Sequence, residues 1–210
     1  MEAPAKPRLL LVSLTLQSWF DETYGPLLEK IFAKAIIQRA KTPNAVRRAL
    51  SENKPSAILI TDEALTTRKH AQVWDAVLNY VREGGTAVCM GDFSSFVKFL
   101  DIKPFFAKAG LPWEVGAYHR VTVVLRQDAV GIGLAASLPA SYSQKALFLK
   151  NVEDAAAWYR PSEDSVDESL LGETSVALAK VGEGKLGYVG DVNKEEGSDA
   201  AVLAMCGFSA

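Results

Sequence analysis

Short apolar runs separated by amphipathic stretches constrain this chain more than any other feature of its sequence. Leu9 to Leu14, Ala57 to Thr61 and Thr86 to Met90 are near-continuous hydrophobic segments too short to be helices. A strand that is apolar on both sides must be covered on both sides, which is the condition of a parallel sheet layered between helices. The intervening segments carry the helical period. Gly25-Pro26 opens a stretch with Leu27, Leu28, Ile31 and Phe32 on one face. Adjacent β-branched residues in Ala35 to Lys41 predict a second strand. Thr42-Pro43 then starts a helix, with Thr capping free N–H groups and Pro at the position where its missing N–H costs nothing. Val73, Trp74, Val77, Leu78 and Val81 form the stripe of a helix predicted over 67–83, which Gly84-Gly85 ends. A further helix is expected from Ser94 or Ser95 to about Ala109.

The resulting β-α-β-α-β-α-β-α order predicts an α/β fold with a mostly parallel central sheet and helices on both faces. A flavodoxin-like arrangement implies the strand order 2-1-3-4. The second half reads differently. His119 to Arg126 alternates like a strand, and Ala146 to Val152 forms another. Ser175 to Val181 and Leu186 to Val192 flank a glycine turn as a C-terminal β-hairpin, and Ser198 to Cys206 is a closing helix. One domain over 1–210 is expected, with a disordered tail over 1–7 and an acidic surface loop over 161–175. The literal G-x-G-x-x-G of Gly182 to Gly187 is not a dinucleotide fingerprint, because a strand follows it and not the helix N-terminus that would receive a pyrophosphate.

Charge narrows the partners. The net charge of −2 does not suit a general nucleic-acid binder, which needs a basic surface. Between Glu153 and Asp199 twelve Asp and Glu stand against four Lys and Arg, read as a solvated acidic face. Two cysteines, Cys89 and Cys206, provide no disulfide framework and suit a reducing compartment, so a cytoplasmic protein is expected. The apolar run from Leu9 to Leu16 is too short to span a bilayer, so no membrane role is expected. No metal-ligand spacing is present and no cofactor is expected; the partner is a small molecule, or a second copy of the chain.

The helix, double glycine and strand of Asn79 to Val88 resemble those of the class I glutamine amidotransferase-like superfamily, which includes ThuA-like and DJ-1/PfpI proteins. Val181 to Asp191 is similar to the ThuA-like ending, in which a glycine turn feeds the last strand, and Ala57 to Asp62 completes the likeness in element order. The resemblance implies a site at the carboxyl ends of the strands. It also implies a nucleophilic cysteine in an x-Cys-x-Gly turn, matched by Val88 to Gly91 with Cys89 as nucleophile, His119 as base and Glu63 as the polarising carboxylate. Gln17, Trp19, Asp62, Gly91, Asp92 and Phe93 would line the pocket. The chain departs from the pattern after the last strand, where Gly190 to Lys194 contains no His-x-Glu pair.

Each residue has a plainer reading. Cys89 can lie inside the strand as a packed thiol, with Gly91 or Asp92 in the turn. Glu63 can complement a helix N-terminus. His70 is placed on the polar side of a helix, away from the site. Three functions follow: a Cys-dependent hydrolase acting on a small molecule, a non-catalytic ligand-binding or self-associating module of the same fold, or a ThuA-like sugar-related protein using Asp62 and Asp92.

Overall fold

The computed structural model describes residues 6–52, 54–162 and 170–208. The first strand, β1 (Arg8–Val12), is buried from Leu9 onward. A short turn of helix, α1 (Phe20–Thr23), leads into α2 (Gly25–Lys34), which has Pro26 in its first turn and buries Leu27 and Ile31 one turn apart. The edge strand β2 (Ile36–Ala40) follows, then α3 (Pro43–Glu52), whose free Ala45 N–H donates to Thr42 Oγ1 at 3.2 Å. Strand β3 (Ala57–Ile60) is buried throughout.

The connection out of β3 is longer than its sequence suggests. Two 3₁₀ turns, Glu63–Thr66 and Arg68–His70, precede α4 (Ala71–Arg82). Gly84, at φ +106°, then turns the chain into β4 (Thr86–Cys89). The expected single helix after β4 is divided into α5 (Phe93–Phe96) and α6 (Phe99–Ala107), because Val97 and Lys98 are extended.

The remaining elements are β5 (Glu114–Leu125), α7 (Gln127–Val130), α8 (Ile132–Ala135), β6 (Ser141–Lys150), β7 (Ala157–Pro161), β8 (Val176–Val181), β9 (Gly184–Val189) and α9 (Glu196–Met205). The described strands form one nine-stranded sheet in the order β2-β1-β3-β4-β9-β8-β7-β5-β6. The expected 2-1-3-4 order is present, and β9 joins β4 in parallel. The expectation of a mostly parallel sheet holds only for that half. The β9–β8, β8–β7, β7–β5 and β5–β6 pairs are antiparallel, so the sheet is mixed. Strand β7 carries no local signal, since Ala157 to Pro161 is short and ends in proline.

Helices cover both faces. One face packs Trp74, Val77, Phe93, Phe105 and Phe106 against Ile58, Cys89 and Tyr188. The other packs Phe20, Leu27, Ile31 and α9 against Leu11, Val88 and Val189. Gly182 and Glu183 turn the β8–β9 hairpin, as expected of that glycine-rich segment. Part of the expected surface loop is not surface. Residues 163–169 and the tail residues 1–5 lie outside the described residues, but Leu170, Glu173, Thr174 and Ser175 are buried. The Glu173 carboxylate accepts the Ala117 N–H at 2.7 Å and pairs with Lys150, which holds β5 and β6 to this segment. Among the described residues no helix is long and apolar enough to cross a membrane.

Candidate functional site

The strand order reverses between β1 and β3, the position at which parallel sheets commonly place a ligand site at their carboxyl ends. Polar groups tie the loops leaving these two strands together. The Ser13 and Thr61 hydroxyls lie 2.8 Å apart, and Thr61 Oγ1 also donates to the Val12 carbonyl at 3.0 Å. Asp62 accepts the Thr15 N–H at 2.9 Å and the Ala64 N–H at 3.1 Å, one on each oxygen. Its carboxyl nevertheless titrates above the usual range, because burial outweighs these bonds. Asp62 therefore acts as a clamp between the β1 and β3 loops. Glu63 beside it accepts the Thr15 hydroxyl at 3.3 Å.

The next strand end brings Asp92. After Cys89 the chain turns through Gly91, at φ +67°, where an added Cβ would press on the Phe20 ring at 3.0 Å. Asp92 follows and is only 6 % exposed. Its side chain makes no hydrogen bond among the described residues. Burial, with the negative charges of Asp62 and Glu63, pushes its pKa up to about 6, and Lys194 opposes this. At the rim, Trp19 and Phe96 are about half exposed and their rings face each other with centroids 6.5 Å apart.

A second acidic group closes the same edge at the end of β9. Asp191 accepts the N–H groups of Asn193, Lys194 and Glu195 and so organises the entry to α9. Burial and the neighbouring Glu195 carboxyl raise its proton affinity, and Glu195 is in turn held down by Asp191 and by Arg120 at 2.9 Å. Strand β6 reaches this point, where the Leu147 N–H donates to the Gly190 carbonyl at 2.9 Å. Burial, with Asp92, Asp191, Asp199 and Glu195 nearby, raises the pKa of Tyr24 far above its ordinary value.

The structure does not bring the expected thiol pair together. Cys89 is the last residue of β4, paired to Ile60 and Tyr188, with 0 % exposure. It packs with Trp74, Val77 and Phe93, and burial pushes its thiol well above the ordinary value. His119 is exposed on β5, opposite Ala146, and β9, β8 and β7 stand between it and β4 in the sheet. The turn that would have exposed the sulfur is made two residues later, by Gly91 and Asp92. Native protein is expected to leave Cys89 unmodified by iodoacetamide near neutral pH, with labelling only on unfolding. Peptide mass spectrometry checks this, and rapid native labelling at Cys89 would show an open thiol.

Of the pocket residues, Asp62, Gly91 and Asp92 meet at the strand ends, with Glu63 beside them. Gln17 sits in the β1 loop with its amide on the Thr15 carbonyl, and Trp19 is at the rim. Phe93 is not a lining residue. It is fully buried, 5.5 Å from Phe105 and 6.3 Å from Tyr188, and anchors the loop from below. His70 is not on a polar helix face. It ends the 3₁₀ turn before α4, is 7 % exposed, and its Nδ1 finds no partner among the described residues. Burial and Lys69 lower its pKa, while Asp62 is close enough to pull the other way. The helical reading of Thr67 to Glu83 hid this, because only the actual start of α4, at Ala71, puts His70 in a turn. Among the described residues no group of three or more His, Cys, Asp or Glu is arranged to hold a metal ion.

No family model matches the sequence, and neither does any curated protein. Solved structures do match in fold. A ThuA-like protein from Bacteroides uniformis superposes with a TM-score of 0.62 at 15 % identity, covering 98 % of this chain and 92 % of that one. A β-galactosidase from Bacillus circulans sp. alkalophilus matches with a TM-score of 0.59 at 18 % identity over 96 % of this chain but 31 % of the enzyme. A cytoplasmic protein from Salmonella typhimurium LT2 matches with a TM-score of 0.52 at 16 % identity, covering 93 % of this chain and 92 % of that one. The chain therefore shares the fold of these solved structures, ThuA-like proteins among them.

Proposed function

We propose that the carboxyl edge of β3 and β4 binds a neutral, polyhydroxylated small molecule such as a sugar, and that Cys89 takes no part. One observation carries this reading: Asp92, buried at a strand end, has no hydrogen-bond partner among the described residues. Its oxygens keep some contact with solvent, so they are open to a ligand hydroxyl that would supply the partner the protein does not. Asp62 and Glu63 add negative charge beside Asp92, which disfavours an anionic ligand. The half-exposed Trp19–Phe96 pair offers an apolar face of the kind that stacks on a sugar ring. Around its pKa of about 6 Asp92 both donates and accepts protons, so it suits a hydroxyl ligand and is equipped for acid–base chemistry. ThuA-like proteins and glycosidases among the similar structures support this ligand class, and the Salmonella protein described as cytoplasmic supports a cytoplasmic setting.

Calorimetric titration with a panel of neutral monosaccharides, disaccharides and alditols tests the reading. At least one is expected to bind saturably, and Asp92→Ala is expected to weaken it about tenfold or more. A panel with no saturable binder, or a binder indifferent to Asp92→Ala, would falsify it.

A further inference from the structure

A large cavity among the described residues is nowhere near Asp92. It is a half-open groove of about 900 Å³ at the opposite end of the sheet, where β4 and β9 begin. That volume falls within the usual range for small-molecule sites. Its walls come from α7 and α8, the end of α9, and β8. They present somewhat more apolar than polar surface, with Val130, Leu134, Trp158, Leu178, Met205 and Phe208 among the lining side chains.

Two lysines break this apolar character. Lys180 and Lys185 also line the cavity and are directly opposed across the β8–β9 hairpin. Residues opposed in an antiparallel pair project to the same face. Here that face is shared with Leu178 and Gly187, two residues along each strand. An added Cβ on Gly187 would lie 2.8 Å from Met205 Sδ, so α9 covers this face. Both ammonium groups therefore project beside the end of α9, at one end of the cavity. Neither makes an ion pair or a hydrogen bond among the described residues. Among the described residues the one acidic group in the lining, Glu153, is exposed and paired to neither of them.

Like charges directly opposed across a sheet are destabilising. An anion lying between them would reverse the sign, and charge-assisted bonds to two ammonium groups are stronger than neutral ones. A wholly polar anion would leave the apolar walls unused, and a neutral hydrocarbon would leave the lysines unpaired. We infer that this cavity binds an amphipathic monoanion, an apolar body carrying one carboxylate or similar head group, with Lys180 and Lys185 holding the head. The inference is independent of the carboxyl-edge reading, because the two sites share no residue.

Displacement of 1-anilinonaphthalene-8-sulfonate by dodecanoate, with dodecanol as the uncharged control, tests it on the full chain. Dodecanoate is expected to displace the dye saturably and to bind about tenfold more tightly than dodecanol. The Lys180→Gln/Lys185→Gln double variant is expected to erase that preference. Both positions are exposed, so the variant is expected to fold, and its thermal midpoint is expected to be unchanged or higher, as removal of a like-charge pair requires. A second variant, Leu134→Trp, places a bulky uncharged group in the wall and is expected to reduce binding of dodecanoate and dodecanol alike. The inference fails if dodecanoate does not displace the dye, if dodecanol competes equally well, or if the double variant keeps the preference.

Discussion

Trp74→Ala is expected to lower the unfolding free energy by about 3–5 kcal/mol, the range for removing a large aromatic from a packed core. Trp74 is 1 % exposed and stacks on Phe105 with ring centroids 4.1 Å apart and planes 14° from parallel. Its indole N–H donates to the Phe105 carbonyl at 3.3 Å. The substitution thus opens a cavity beneath α4 and also leaves a buried carbonyl unpaired. Single domains are commonly stable by only about 5–15 kcal/mol, so the variant stands close to unfolding at ambient temperature. Trp74→Phe keeps most of the ring volume and is expected to cost about 1–2 kcal/mol, chiefly through the lost hydrogen bond. Urea denaturation followed by circular dichroism measures both. A loss below about 1 kcal/mol for the alanine variant would show that the core closes over the gap.

Asp92→Asn is expected to act in the opposite direction and to change the pH dependence of stability. The folded carboxyl titrates near 6 against an ordinary value of 3.8, so between these values the native state binds more protons than the unfolded state. The contribution of the protonated group is fully present below pH 3.8 and is lost as pH rises through about 6. At neutral pH the ionised form destabilises the fold. Two pKa units would correspond to about 3 kcal/mol, and partial solvent screening reduces this to about 1–2 kcal/mol. Asparagine removes the charge, so the variant should be more stable than the parent at neutral pH by about that amount and equal to it at low pH. Asp62 and Asp199 are also raised and keep part of the slope, while Asp21, held down by its bond to Arg39, opposes it. Thermal unfolding across the acid-to-neutral range decides the matter. If the variant and parent curves run parallel, Asp92 is not a strained carboxyl. A gain in stability on removing this charge is the behaviour of a group retained for binding.

The two acidic strand ends and the thiol illustrate how far a sequence of this kind can be read. Asp62 follows an apolar run directly and Asp92 follows one after Gly91, and in a parallel sheet the residues just after such a run lie at the carboxyl edge. Their meeting was therefore legible from order alone. Which of them is a clamp was not, since it depends on the Thr15 N–H from a loop 47 positions away. Cys89 was ambiguous by a single residue, because moving the turn by one or two positions exchanges a sealed thiol for an open one. His70 was hidden for a similar reason: its burial follows from where α4 begins, and helix starts are poorly marked when no capping residue stands at the boundary.

The sequence by itself determined the layered first half: buried runs, helix caps and double glycine are local signals, and right-handed crossovers leave few ways to arrange them. Only the tertiary structure decided the mixed second half, the unpaired carboxyl of Asp92 at the strand ends, and the groove beside α9 and β8. Each of these depends on packing between segments far apart in the chain, and neither periodicity nor spacing records which distant surface a residue meets.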